Sequence, residues 1–259
     1  MNTQPAKKKQ LPELKPTAWG NAVYKIAGNT LRPLYNLVID IEFRGIEKLP
    51  EGGCIVVANH ISEVDPITVA YPLFKEGKLP RFLAKESLFH APVLGWLMRT
   101  IAHVPVSRGS VDARKSLETA RNIVEAGGSI IIYPEGTLTT DPDQWPMVGR
   151  TGAARLALAT GAPVVPIAHW GDQQFMPPHS KPRFGKRHKV VVEVGDPIDF
   201  SDLVTEQKAE RYSRSELMAV TDRMMDAVTA VLADIRGEKA PEGRWNPSTG
   251  VREIARTES

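Results

Sequence analysis

Hydrophobic and polar residues change their spacing repeatedly along the chain, and the spacing predicts alternating helices and strands. Residues 17–38 place apolar side chains at helical intervals behind Thr17, which predicts an amphipathic helix. Residues 39–44 alternate apolar and polar side chains, which is typical of a strand with one exposed face. The remaining predicted strands are 53–58, 80–84, 103–106, 129–133, 164–168 and 189–194, and the remaining predicted helices are 66–75, 92–100, 112–126, 150–160 and 213–235.

This rhythm predicts one α/β domain over residues 17–236. Strands that are followed by helices favour a mixed, mostly parallel sheet with helices on both faces, here preceded by the N-terminal amphipathic helix of 17–38. Residues 1–16 are polar, basic and interrupted by prolines, which predicts a disordered arm. Residues 237–259 are again polar and contain Pro and Gly, which predicts a flexible tail.

Composition narrows the function classes. The chain is 42% hydrophobic, which excludes disorder of the whole, and its longest stretch without a charged residue, 156–171, is too short and too broken by prolines to span a bilayer. The net charge of +3 gives no reason to expect a nucleic acid partner. Two local basic clusters, in 1–16 and 181–189, suit either contact with phosphate or anionic lipid, or simple solvation. The single cysteine, Cys54, allows no intramolecular disulfide, which suits a reducing compartment.

The first segment with candidate chemistry directly follows the predicted strand 53–58. It contains Asn59, His60 and, five residues after the histidine, Asp65. At the carboxyl end of a strand, Asp65 could hold one ring nitrogen of His60 while the other acts as a general base. The spacing equally suits a histidine in a loop hydrogen bond and an aspartate that caps the next helix ahead of Pro66.

Three further segments are individually weak. Glu135, Gly136 and Thr137 follow a predicted buried strand and could line a ligand site or simply form a turn. Arg108 follows another strand and could bind phosphate or lie on the surface. The proline-flanked strand 164–167 suits an apolar groove or the core.

Several common chemistries lack their signatures. The chain contains no G-x-S-x-G nucleophile elbow, no phosphate-binding P-loop and no G-x-G-x-x-G dinucleotide motif. Its six histidines do not fall at zinc-ligand spacing. These absences disfavour nucleotide, dinucleotide, zinc and serine-hydrolase chemistry.

Taken together and in order, the four segments resemble the glycerolipid acyltransferase family, whose central members are the 1-acyl-glycerol-3-phosphate acyltransferases. The resemblance covers about residues 55–170. One departure stands out: Leu138-Thr139 follows the P-E-G-T block of residues 134–137, where the family usually has Arg-Ser. Arg150 occupies a place where the family often has lysine.

The resemblance implies an enzyme, a 1-acylglycerol-3-phosphate O-acyltransferase. It would move an acyl chain from acyl-CoA or acyl carrier protein to the free hydroxyl of 1-acyl-glycerol-3-phosphate, giving phosphatidic acid. His60 and Asp65 would be catalytic, without a metal or bound cofactor. The substrate-binding residues would be Asn59, Arg108, Glu135, Gly136, Thr137 and Arg150.

The departure at Leu138 leaves other acceptors open, namely another lysolipid, a glycolipid or the other glycerol position. A non-catalytic lipid-binding relative and a thioester hydrolase are further alternatives. A lysolipid substrate would be met at a bilayer surface, so we expect a peripheral protein on the cytoplasmic face of the membrane. The helix of 17–38 is the predicted interfacial anchor, and the 181–189 cluster is a predicted headgroup contact.

Overall fold

A seven-stranded sheet organises the fold in the computed structural model, which describes residues 15–106, 112–203 and 212–254. The strands appear in the spatial order β1-β7-β6-β2-β5-β3-β4. Neighbours from β6 to β4 pair in parallel, whereas β7 runs antiparallel to β6 and carries β1 parallel to itself at the edge. The strands are β1 (Ile39–Arg44), β2 (Ile55–Ala58), β3 (Arg81–Lys85), β4 (Val104–Val106), β5 (Ile130–Ile132), β6 (Val164–Trp170) and β7 (His188–Val194).

Helices cover both faces of the sheet. Alternate side chains of β2 point to opposite layers, so Ile55 and Val57 join one buried cluster and Val56 and Ala58 join the other. The first cluster packs under the helices of residues 112–125, 152–160 and 214–236, and the second packs under those of residues 18–38 and 65–75. The helices are α1 (Ala18–Val38), α2 (Asp65–Lys75), α3 (Pro92–Thr100), α4 (Asp112–Glu125), α5 (Gly152–Thr160), α6 (Asp172–Phe175) and α7 (Arg214–Arg236). The predicted mixed, mostly parallel α/β domain is confirmed.

Both long helices begin where the sequence predicts. Thr17 caps α1 by accepting a hydrogen bond from the Gly20 N–H at 3.0 Å. Ser213 and Glu216 form a capping box at the start of α7. Among the helices in the described ranges, none is both long and apolar enough to cross a bilayer.

The prediction of a flexible tail over 237–259 is wrong for part of its length, residues 244–253. After α7, residues 244–253 form a hairpin of β8 (Arg244–Asn246) and β9 (Val251–Glu253). Arg252 binds the buried carboxylate of Asp141 at 2.8 Å, which fastens the hairpin to the loop that follows β5. The hairpin was missed because ion pairs to distant residues stabilise it, rather than a hydrophobic periodicity of its own. The predicted basic arm falls outside the described residues except for positions 15 and 16.

Candidate active site

Three adjacent strands bring the candidate residues together at one edge of the sheet. The strand β2 pairs in parallel with β5 on one side and with β6 on the other, so their carboxyl ends point the same way. His60 follows β2, Glu135 follows β5, and His169 lies near the end of β6. This edge is where open α/β sheets bind ligands.

The sequence-predicted dyad forms. His60 Nδ1 lies 2.9 Å from Asp65 Oδ2, and the same oxygen accepts hydrogen bonds from the N–H groups of Ile61 at 2.6 Å and Ser62 at 2.9 Å. Asp65 is fully buried, and Val64 rather than Asp65 is the cap of α2. The expectation that Asp65 caps the helix is therefore wrong, because its carboxylate turns back to the loop that carries His60.

The His60 side chain retains access to the outside. It is 19% exposed, and Nε2 has no hydrogen-bond partner among the described residues. The ring stacks on Tyr133, with 4.1 Å between the centroids and 13° between the planes. An imidazole whose Nδ1 donates to a carboxylate exposes an unprotonated Nε2, which is the arrangement that a general base requires.

Glu135 faces into the protein and braces this loop. Its buried carboxylate accepts the His60 N–H at Oε1, 3.2 Å away, and the Met147 N–H at Oε2, 3.1 Å away. Burial raises the pKa of Glu135 to about 8, although the two N–H donors act in the opposite direction. The structure thus places Glu135 behind His60, with both carboxylate oxygens already hydrogen-bonded.

Arg150 lies beside the turn that follows β5. Gly136 has a φ of +72°, and a Cβ there would lie 3.0 Å from Arg150 Nε, so the glycine allows the arginine to approach. The Arg150 N–H donates to Pro134 O at 2.9 Å, and its side chain is exposed. Thr137 is half-buried in the same segment. An exposed guanidinium, whose Nε donates to Glu135 O at 3.4 Å, is therefore held beside the turn that follows β5, where it could meet an anion.

The other predicted site residues have different placements. Arg108 falls outside the described residues, in the gap between Val106, the last residue of β4, and position 112. Leu138, where the family usually has arginine, is buried. Asn59 is also buried, and its amide bonds the backbone of His169 through both the N–H, at 3.1 Å, and the carbonyl oxygen, at 3.0 Å.

Sequence reasoning missed a second histidine–aspartate pair behind the dyad. His169 Nδ1 lies 2.7 Å from Asp172 Oδ2, and both side chains are fully buried. The available signal was a histidine in the otherwise apolar strand β6, followed three residues later by an aspartate. Donor atoms of Asp65, His169 and Asp172 lie within 4.8 Å of one another, a spacing that could hold a metal ion. The close hydrogen bond between His169 and Asp172 accounts for the proximity of two of these three residues without a metal ion.

The comparisons with known proteins agree with this geometry. The family model described as acyltransferase matches residues 40–170, just over half of the chain. The chain belongs to the acyltransferase family. Its match contains the dyad, the turn at Gly136 and Arg150, and it confirms the family resemblance seen in the sequence.

Individual acyltransferases show the same relationship. The chloroplastic 1-acyl-sn-glycerol-3-phosphate acyltransferase BAT2 of Brassica napus is 34% identical over 54% of this chain and 40% of its own length. The 1-acyl-sn-glycerol-3-phosphate acyltransferase of Pseudomonas aeruginosa is 27% identical over 53% of this chain and 52% of its own. The chain thus aligns with about half of these relatives or less.

One solved structure shares the fold across most of the molecule. The 1-acyl-sn-glycerophosphate acyltransferase PlsC from Thermotoga maritima matches with a TM-score of 0.63 and 24% identity. The match covers 86% of this chain and 83% of that chain. The likeness therefore extends beyond the family match to most of the α/β fold.

Proposed function

We propose that this protein transfers an acyl chain from a thioester, acyl-CoA or acyl carrier protein, to the free hydroxyl of 1-acyl-glycerol-3-phosphate. The observation that carries the proposal is the His60–Asp65 pair, with a bond of 2.9 Å and an accessible Nε2 at the carboxyl edge of the sheet. The relatives from Brassica napus and Pseudomonas aeruginosa, both named as 1-acyl-sn-glycerol-3-phosphate acyltransferases, support this acceptor.

The dyad can perform the transfer without a covalent enzyme intermediate. His60 Nε2 removes the proton from the acceptor hydroxyl, and the oxygen attacks the thioester carbonyl. The tetrahedral intermediate then expels the thiolate, and the thiolate is protonated by His60. Asp65 stabilises the imidazolium between these steps, since its carboxylate receives the Nδ1 proton as a hydrogen bond.

Arg150 is the described residue best placed for the phosphate of the acceptor. Its guanidinium is exposed and lies next to Gly136, within the turn that also carries Glu135. Arg108 keeps its predicted role toward phosphate as part of the proposal. The buried Leu138 removes one cation from this region relative to the usual family pattern, and this favours a second candidate acceptor, a lysolipid with a different headgroup.

We also propose that α1 and α3 rest on a bilayer surface. The two helices contact each other, and both expose large apolar side chains. Lys25 and Arg32 flank these side chains on α1 and could meet anionic lipid. The exposed large apolar residues are Trp19, Ile26, Leu31, Leu34 and Leu37 on α1, and Val93, Leu94 and Trp96 on α3.

The activity is tested with purified protein, labelled long-chain acyl-CoA or acyl carrier protein, and a panel of acceptors. We expect phosphatidic acid from 1-acyl-glycerol-3-phosphate and no transfer by His60→Ala, while its unfolding curve stays close to that of the wild type. Free fatty acid produced regardless of the acceptor would show thioester hydrolysis instead. Transfer to another lysolipid alone would favour the second candidate, and wild-type turnover by His60→Ala would reject the dyad.

Liposome flotation tests the membrane surface separately. Trp19→Ser and Leu34→Ser should each reduce binding to vesicles that contain anionic lipid, and Arg32→Gln should reduce it most at low salt. Val251→Ser is the matched control, because Val251 is also exposed but lies on the hairpin that packs against α7. Equal binding by all of these variants would reject α1 as the anchor.

A further inference from the structure

A buried polar cluster lies directly behind the dyad, and the reaction as written does not use it. His169 on β6 and Asp172 at the start of α6 are fully buried, and His169 Nε2 lies 3.6 Å from Asp65 Oδ2. Asp172 Oδ1 accepts hydrogen bonds from the hydroxyls of Tyr35, at 2.8 Å, and Thr68, at 2.6 Å. Four separate elements thus place polar side chains around a single point.

The hydrogen-bond partners of His169 determine its protonation. Its Nδ1 faces the carboxylate oxygen of Asp172 at 2.7 Å, and its Nε2 faces the carbonyl oxygen of Asn59 at 3.0 Å. A carbonyl oxygen and an ionised carboxylate only accept hydrogen bonds, so beside an ionised Asp172 both ring nitrogens donate. A histidine that donates from both nitrogens is an imidazolium, and here it lies between Asp172 and Asp65.

The same histidine is joined to the catalytic loop through the backbone. The Asn59 amide bonds both the N–H and the carbonyl of His169, and the Asn59 carbonyl accepts from the His169 ring. Because His60 directly follows Asn59 in the chain, a displacement of the His169 ring would shift the backbone that carries the dyad histidine.

We propose that His169 and Asp172 are positioning residues for the proposed acyl transfer: this buried ion pair keeps Asp65 a carboxylate, the charged acceptor that holds the Nδ1 proton of His60 and stabilises its imidazolium. This inference rests on the proposed function. Burial raises the pKa of Asp65, and the adjacent His169 acts against that rise and limits it. Burial opposes the charge on His169 as well, but the two carboxylates outweigh it and raise its pKa to about 9.

Other titratable groups face this cluster. His60 lies on the loop after β2, Tyr35 comes from α1, and Tyr133 comes from the end of β5. Burial and the nearby carboxylates raise the pKa of both tyrosines, so they stay neutral through the working range. Burial raises the pKa of Glu135, on the other side of His60, to about 8, so its charge could also change in the same experiment.

The first test observes His169 itself. NMR of the full chain with 15N-labelled histidine should show both ring N–H groups of His169 from pH 6 to 8, assigned by their absence in His169→Gln. In Asp172→Asn the amide nitrogen can face Nδ1, so His169 should become neutral with its proton on Nε2. A neutral His169 in the wild type, or one that has lost a ring proton to a metal ion, would overturn the inference. This result does not depend on any activity.

The second test uses the pH profile of kcat. Without the cation, Asp65 should ionise only at higher pH. His169→Gln and Asp172→Asn should therefore lose at least about tenfold in kcat at pH 7, a part of the roughly 10²–10⁴-fold that general acid–base catalysis contributes. The loss should shrink as the pH rises, and the KM of the acceptor should stay within about twofold, since neither residue is proposed to contact it.

His188→Gln is the matched control, because His188 is buried in the neighbouring strand β7 and bonds a carbonyl through Nε2, yet belongs to a different hydrogen-bonded group. It should lower stability without moving the pH profile. A pH-independent loss in Asp172→Asn that follows the folded fraction would overturn the positioning role. If the wild type itself transferred no acyl group, the proposed function would fail while the NMR result would still decide the state of His169.

Discussion

Replacement of Asp65 by asparagine tests how the dyad is built, because a single carboxylate oxygen holds both the histidine and its loop. Asp65 Oδ2 receives three N–H groups, from His60 Nδ1, Ile61 and Ser62. In Asp65→Asn, the oxygen of the new side-chain amide can take the same position and keep all three donors. The loop and the His60 tautomer should then persist, and the change removes mainly the negative charge.

The magnitude follows from that geometry. A hydrogen bond to a charged group contributes about 1.5–3 kcal/mol, whereas a neutral one contributes about 0.5–1.5 kcal/mol. Loss of the charge should therefore cost the His60 imidazolium about 1–2 kcal/mol, which is roughly 5- to 30-fold in kcat. An asparagine that reversed the tautomer would instead cost roughly 10⁴-fold, as the corresponding change does in a serine protease triad.

The assay is kcat and KM at saturating acyl donor, together with urea unfolding of each variant. Asp65→Ala is the matched control: it leaves the buried N–H groups of Ile61 and Ser62 without an acceptor, at about 1–3 kcal/mol each, so it should lose stability as well as activity. A loss below twofold in Asp65→Asn would show that Asp65 does not assist His60. A loss near 10⁴-fold would refute the shared-oxygen reasoning.

Three further predictions concern the surroundings of the dyad. Gly136→Ala should lower the free energy of unfolding in urea by about 1–2 kcal/mol and displace Arg150, because φ is +72° and the new Cβ would lie 3.0 Å from Arg150 Nε. An unchanged free energy of unfolding would contradict this expected strain. Glu135→Gln should change how the free energy of unfolding depends on pH. In the wild type the raised pKa of Glu135 stabilises the folded state below pH 4.5. The free energy of unfolding then falls by up to about 1.4 kcal/mol per pH unit as the pH rises to about 8, and the variant should not show this fall. Parallel pH curves would exclude a protonated Glu135. Arg252→Ala should lower the free energy of unfolding by about 3–5 kcal/mol, since the carboxylate of Asp141 stays buried without its cation. A decrease below about 1 kcal/mol in thermal or urea unfolding would show that the ion pair is not needed for stability.

The elements with strong periodicity were predictable. The alternation in 39–44 and the helical spacing of α1 and α7 depend on residues close in sequence, and the structure reproduces these elements within a residue or two. The pairing of His60 with Asp65 was also predictable as one of two options, because five residues span one turn at the end of a buried strand.

Other features depend on residues far apart in the chain and leave no local pattern. The inward direction of Glu135 is set by the N–H groups of His60 and Met147, 75 and 12 residues away. His169 meets Asn59 across 110 residues, so its partners could not be read from the sequence around β6. The capping option for Asp65 failed for the same reason, since tertiary contacts decided where its carboxylate points.

The hairpin of β8 and β9 has a consequence for the order in which the protein matures during synthesis. Arg252 leaves the ribosome 111 residues after Asp141, the residue it secures. The loop beyond β5, whose Thr139 N–H also donates to the His60 carbonyl, can therefore be fastened to the hairpin only after this intervening segment has been made. A chain interrupted before this hairpin could build the sheet and carry the dyad residues, yet would leave the loop beside them untethered. Translation of β9 thus sets the earliest time at which this loop can be fastened beside the dyad.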